Sequence, residues 1–154
     1  MEGINQELTF SEGVEELVVI LKKLGYKLAV VSGGFQLFAD HLKDRLGLDY
    51  AFGNQLEVRE TSLTGRMKDD VIDAAQKARL LNWIADQEGI LLDQTVAIGD
   101  GANDALMLGQ AGLGIAYNAR ETLNRVATGN IAHSRIKNVL YILGVTESDI
   151  DKLI

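Results

Sequence analysis

The chain has no cysteine, no proline, only two histidines and few aromatic residues, 6% of its 154. Without cysteine there is no disulfide, no thiolate metal centre and no cysteine nucleophile. That absence suits a reducing compartment, and the chain reads as a cytoplasmic protein. His41 and His133 have no metal-site spacing between them and no triad context beside either, so both read as helix or surface residues. Positive charge is also short: 15 Lys and Arg stand against 22 Asp and Glu, a net charge of −7. Nucleic acid needs clustered cations, so it is not an expected partner. No run approaches the ~20 apolar residues of a membrane span, and no basic-then-apolar signal sequence opens the chain. The missing proline, against about 5% in ordinary proteins, carries no functional reading.

What remains is ordinary for a globular protein: 47% hydrophobic and 24% charged residues. A chain this long fits one domain, here residues 1–154, and can bury roughly 68–70% of its unfolded surface. Residues Met1 to Leu8 offer no complete element before the first helix, so the opening reads as mid-domain.

Thr9 with Glu12, or Ser11 alone, is placed to cap a helix running to Gly25, with Val14, Leu17, Val18, Leu21 and Leu24 as its buried stripe. Lys27–Val31 reads as a buried parallel strand stopping at Ser32-Gly33-Gly34. A second helix buries Phe35, Phe38, Ala39, Leu42 and Leu46 and stops at Gly47. Tyr50 to Arg59 and Thr64 to Lys68 read as extended segments of a hairpin flap turning near Thr61-Ser62. A third helix spans about Asp73 to Gly89, with Leu80, Leu81 and Ile84 inward. Thr95–Gly99 and Leu113–Tyr117 are further strands; Ala119 to Ala127 and a segment from Ile136 to Gly144 are helices. Strands alternating with helices mean an α/β fold with a parallel sheet, whose ligands sit outside the carboxyl ends of the strands.

Three constellations stand at or near such ends. Gly99-Asp100-Gly101-Ala102-Asn103-Asp104 puts two carboxylates and an amide where a strand becomes a helix. This suits Mg²⁺, which takes oxygen ligands and only one or two protein carboxylates, and equally suits a polar turn with a helix cap. Val31-Ser32-Gly33-Gly34 opens a helix with backbone N–H groups and a hydroxyl, an anion site or a capping serine. Lys77 in Ala75–Arg79 alone is an ordinary solvated lysine. Trp83 and the other aromatic positions read as packing.

Taken in order, Thr9–Leu17, Ala29–Phe35, Gly47–Asn54, Leu63–Gly65, Val96–Asp104 and Ala111–Ala116 resemble the phosphoserine phosphatases of the haloacid dehalogenase-like hydrolase superfamily. The resemblance implies a Rossmann-like core with parallel sheet, flanking helices and a small hairpin flap. It also implies a Mg²⁺-dependent hydrolysis of L-phosphoserine to L-serine and phosphate, the last step of serine synthesis, through an aspartyl-phosphate. Ser32 matches the serine that bonds the transferring phosphoryl group, with Gly33 assisting. Lys77, 100 − 77 = 23 residues before Asp100, matches the lysine that neutralises phosphoryl charge. Asp100 and Asp104 match the metal-site carboxylates, and Asn103 a residue contacting phosphate or the metal's surroundings.

One departure is large. The Asp-x-Asp-x-Thr segment that supplies nucleophile and general acid in that family has no counterpart here, since no aspartate occurs before Asp40. The expectation is a chain lacking the N-terminal strand and most of the cap, with residues 1–9 a remnant, inactive alone. Self-association or a complementing segment would supply the strand. Readings left open are another small-phosphomonoester phosphatase, a phosphotransferase, or a non-catalytic phosphate and Mg²⁺ module. The motif also resembles the phosphorylation domain of P-type ATPases, against which stands the lack of any membrane span.

Overall fold

The computed structural model describes residues 9–132 and 135–154, so the readings placed on residues 1–8 and on His133 lie outside the described residues. The chain alternates as expected: α1 (Val14–Lys23), β1 (Ala29–Phe35), α2 (Gln36–Leu46), β2 (Tyr50–Asn54), β3 (Leu56–Arg59), β4 (Ser62–Met67), α3 (Ala74–Glu88), β5 (Val96–Gly99), α4 (Ala105–Gln110), β6 (Leu113–Tyr117), α5 (Glu121–Asn124), β7 (Gly129–Ile131), α6 (Val139–Ile142) and α7 (Glu147–Leu153). The result is α/β with parallel sheets and flanking helices, the fold class the sequence implied.

Glycine sets several boundaries. Gly47 and Gly89 end α2 and α3 in the left-handed conformation at φ 64° and 65°, as their positions in the sequence required. The start of α1 differs from expectation. Gly13, at φ 89°, takes the cap position, no side chain caps the helix, and the Ser11 carbonyl accepts from the Val14 amide. The buried stripe is Leu17, Ile20 and Leu21, while Leu24 is exposed because the helix has ended one residue earlier.

The extended segment from Tyr50 to Arg59 divides. Tyr50–Asn54 pairs in parallel with β1, and only β3 and β4 form the antiparallel hairpin, turning at Glu60 with φ 57°. The expected helix over 119–127 is cut to four residues, because Thr128 bonds back to the Gly114 carbonyl and residues 129–131 pair with β6. The segment from Ile136 opens as a 3-10 turn, and α7 follows beyond Gly144, capped by Thr146 with Asp149.

The parallel strands form two sheets, β1-β2 and β5-β6-β7. The larger sheet is covered on both faces. On one lie Leu17, Ile20 and Leu21 of α1 with Ile115, Val139, Leu140 and Ile150; on the other lie Leu81, Ala97, Met107, Leu108, Ala116 and Leu123. Strand alternation makes this possible, since neighbours Ile115 and Ala116 point to opposite faces and are both inaccessible. Gly114 lies against the Leu108 carbonyl, where a Cβ has no room. β1 and β5 were expected to be buried strands, yet Ala29 and Ile98 are exposed. Neither strand pairs with the other, and a cleft of about 370 Å³ separates them. Trp83 is also half exposed, stacked edge-on against Tyr50 and Phe52. No helix among the described residues is long and apolar enough to cross a membrane.

Candidate functional site

β1 and β5 flank the cleft, which is lined by Ala29, Val30 and Val31 from the first half of β1 on one side and by Val96–Asp100 of β5 and the turn after it on the other, with Lys77 and Asp104 between. On the β5 side the geometry centres on Asp104, which begins α4 and is buried. Its Oδ1 accepts from Lys77 Nζ at 2.6 Å, and its Oδ2 accepts the backbone amides of Asp100 and Gly101, both at 3.1 Å. One carboxylate therefore fixes the turn after β5 and a lysine 27 positions upstream. Gly99 is required for this: a Cβ there would lie 2.5 Å from the Asp104 Cβ.

Lys77 is not the solvated lysine its helical position alone implied. Its side chain is 8% exposed and that of Asp104 is 7% exposed. A buried ion pair is tolerated when further hydrogen bonds satisfy the charges, as the two amides do for Asp104. The ammonium has three N–H groups and Asp104 takes one, which leaves donor capacity at the cleft. α3 is held in place by its own cap, since Asp73 accepts from the Gln76 amide at 2.8 Å and its carbonyl accepts from the Lys77 amide at 2.9 Å.

On the β1 side, Ser32 follows Val31 and is half-buried, and its Oγ accepts from the Gly34 amide at 3.0 Å. Gly33 and Gly34 are exposed. The Ser32 hydroxyl thus braces the irregular second half of β1 and does not cap α2, whose cap position is Phe35, with no side-chain bond. Gln36 hooks the neighbouring strand: its Oε1 accepts from Gly53 at 2.7 Å and its Nε2 donates to the Ala51 carbonyl at 3.0 Å. Sequence reasoning gave no role to Asn54. Its Nδ2 donates to the Gly33 carbonyl and its Oδ1 accepts from the Ile72 amide, both at 2.8 Å. A polar residue at a strand end just after the tight Gly53 is the signal that could have singled it out.

The structure thus joins Lys77, Asp104 and the Asp100 turn directly. Ser32, Gly33 and Gly34 instead lie within β1, which continues to Phe35 instead of stopping before Ser32, and they stand beyond the part of the strand that lines the cleft. Asn103 stands exposed on the turn between Asp100 and Asp104, outside the cleft lining. Among the described residues no group of three or more His, Cys, Asp or Glu is placed to hold a metal ion. Asp104 has both oxygens engaged, whereas Asp100 is exposed and lines the cleft. One free carboxylate on a braced turn fits Mg²⁺, which keeps several waters and completes its set with phosphate oxygens.

Residues 1–112 match the haloacid dehalogenase-like hydrolases. The chain is 52% identical over 143 residues, 93% of its length, to a phosphoserine phosphatase of Archaeoglobus fulgidus, of which it covers 42%. It superposes with a TM-score of 0.86 on the unliganded crystal structure of a probable phosphoserine phosphatase from Vibrio cholerae, 37% identical, covering 99% of this chain and 47% of that one. A phosphoserine phosphatase structure described as a phospho-aspartyl intermediate analogue is 41% identical with a TM-score of 0.81, covering 94% of this chain and 68% of that one. The chain spans less than half the length of the first two.

Proposed function

We propose, from the premise that this chain belongs to the haloacid dehalogenase-like hydrolases, that its site handles the phosphoryl group of a small monoester, L-phosphoserine, released as L-serine and inorganic phosphate. The observation that carries this reading is the buried Lys77, held by Asp104 at a cleft bordered by β1 and β5. A phosphoryl group there meets a fixed ammonium, and in this reading the Ser32–Gly34 segment of β1 supplies the second set of donors. Phosphoryl transfer is governed mainly by such positioning and charge stabilisation.

In this reading Lys77 neutralises negative charge on the equatorial oxygens, and Ser32 with the Gly33 amide orients them. Asp104 holds Lys77 and the Asp100 turn in one geometry. Asp100, aided by Asn103, would hold Mg²⁺, which when bound supplies Lewis-acid stabilisation of the phosphoryl oxygens. Asp104, fully engaged, serves the metal through the turn it braces.

The nucleophile is proposed to be an aspartate carried on an added strand that enters the cleft between β1 and β5. Residues 1–154 then act as one incomplete domain completed by another segment or polypeptide. The unpaired, apolar-lined strand edges facing the cleft support this, as does the phospho-aspartyl chemistry named for a 41% identical relative. The test is a phosphoserine assay with Mg²⁺ on the chain alone and mixed with the part of the Archaeoglobus relative that it does not cover. Turnover is expected only in the mixture and is lost with Lys77→Met. Turnover by the chain alone would overturn the proposed source of the nucleophile, and a folded but inactive mixture would overturn the phosphatase reading.

A further inference from the structure

Among the described residues four polar or charged side chains are buried: Asn54, Lys77, Thr95 and Asp104. Lys77 and Asp104 pair with each other, and Thr95 donates to the Leu92 carbonyl of its own 3-10 turn. Thr95 also accepts from the Gly112 amide. Asn54 spends both of its polar groups on backbone from two segments apart from its own, one on each. One is the part of β1 that carries Ser32 and Gly33. The other is Ile72, itself buried, which immediately precedes Asp73, the cap of α3. The two segments lie against each other, since a Cβ on Gly33 would sit 3.6 Å from the Ile72 carbonyl oxygen. Ile72 stands two residues before α3 begins and next to its cap Asp73, whose carbonyl accepts from the Lys77 amide, so a shift at Ile72 bears on where the Lys77 helix starts.

We propose that Asn54 is a positioning residue, which holds the Ser32–Gly34 segment of β1 and the Lys77 helix in register as the two donor faces of one phosphoryl site. The inference rests on the phosphoryl-binding reading above. Asn54 touches no phosphoryl group itself. Its planar amide offers a donor on one side and an acceptor on the other, the pair that one carbonyl and one N–H from separate segments demand. Replacing it with aspartate keeps the acceptor for Ile72 and sets a carboxylate against the Gly33 carbonyl; replacing it with leucine keeps much of the volume and removes both bonds.

The test is titration of the full chain with inorganic phosphate, followed through the dispersed amide NMR resonances of the folded state. In the unaltered protein, resonances of Ser32–Gly34 and Lys77 should shift together with one Kd. Asn54→Asp should weaken that Kd by about tenfold and uncouple the two sets, as expected when donors are misplaced by a fraction of an ångström to an ångström. Leu140→Ala, in the distant core, should lower stability and leave the Kd unchanged, which separates positioning from general loosening. Phosphate affinity of folded Asn54→Asp within twofold of the unaltered chain would overturn the proposal. If both Asn54 variants fail to fold, hydrogen exchange decides: phosphate should slow exchange at the Ile72 amide along with Gly33, and an unmoved Ile72 overturns it. No shift at Ser32–Gly34 in the unaltered protein would instead defeat the phosphoryl-site reading, and this inference with it.

Discussion

Two apolar strand regions of this molecule differ in what lies beside them. β6 is flanked by β5 and β7 and roofed on both faces, and its Ile115 and Ala116 are inaccessible. Val30 and Val31 of β1 and Ile98 of β5 are as apolar, yet they border an open cleft and stay partly exposed. Composition made both regions eligible for a core; a paired edge on each side decided which became one. An open, apolar strand edge is a template for another strand. The same cleft holds the buried Lys77–Asp104 pair, the one ion pair among the described residues with both side chains under a tenth exposed, so open packing lies beside exacting polar geometry.

The contrast can be broken most forcefully at that pair. Asp104→Ala strands a buried ammonium and two amides, and should lower stability by about 3–5 kcal/mol in urea unfolding. Gly99→Ala should approach the same loss, because its methyl group meets Asp104. Next, Leu140→Ala in the closed core should cost about 2–5 kcal/mol, whereas Ile98→Ala at the cleft should cost well under half of that. Equal losses would mean the two regions are packed alike. Hydrogen exchange sharpens the comparison further: β6 amides should exchange more slowly than cleft-facing amides of β1, and a strand entering the cleft should remove the difference.

The smallest effects lie at the far edge of the closed region. Glu16 bonds Lys137 and raises its pKa, so this contact stabilises fully below the usual lysine range and is lost as pH rises through the raised value. Hydrogen bonds from Thr146 hold the Asp149 carboxyl below its ordinary value. That contribution is present above the ordinary carboxylate range and disappears as pH falls through the lowered value. Thr146→Ala should remove the α7 cap, cost about 1 kcal/mol and flatten this acid limb of a stability–pH profile.

The sequence made legible those features that depend on local chemistry. Gly47 and Gly89 announced helix ends because few other residues accept a positive φ, and the Gly99–Gly101 turn fell at the end of β5 as expected, whereas Ser32-Gly33-Gly34 stayed inside β1 because the strand runs on to Phe35. Lys77 showed no sign of burial on its own, since its partner lies 27 residues away and helical periodicity does not name partners. Only the family resemblance raised its standing. Asn54 went unassigned because its two bonds join segments distant in the chain. β7 was missed since three residues are too few for any periodic signal, and the pairing of β7 with β6 in turn shortened the helix expected before it.

Every helix end marked by a left-handed residue after α1, α2 and α3 uses glycine, and no turn anywhere in the chain uses proline. This has a kinetic consequence. Prolyl isomerisation, the usual source of refolding phases lasting tens of seconds, is unavailable to these 154 residues. If a second polypeptide fills the cleft, the slow step left in reaching the finished sheet is encounter, and its rate should scale with the concentration of that partner.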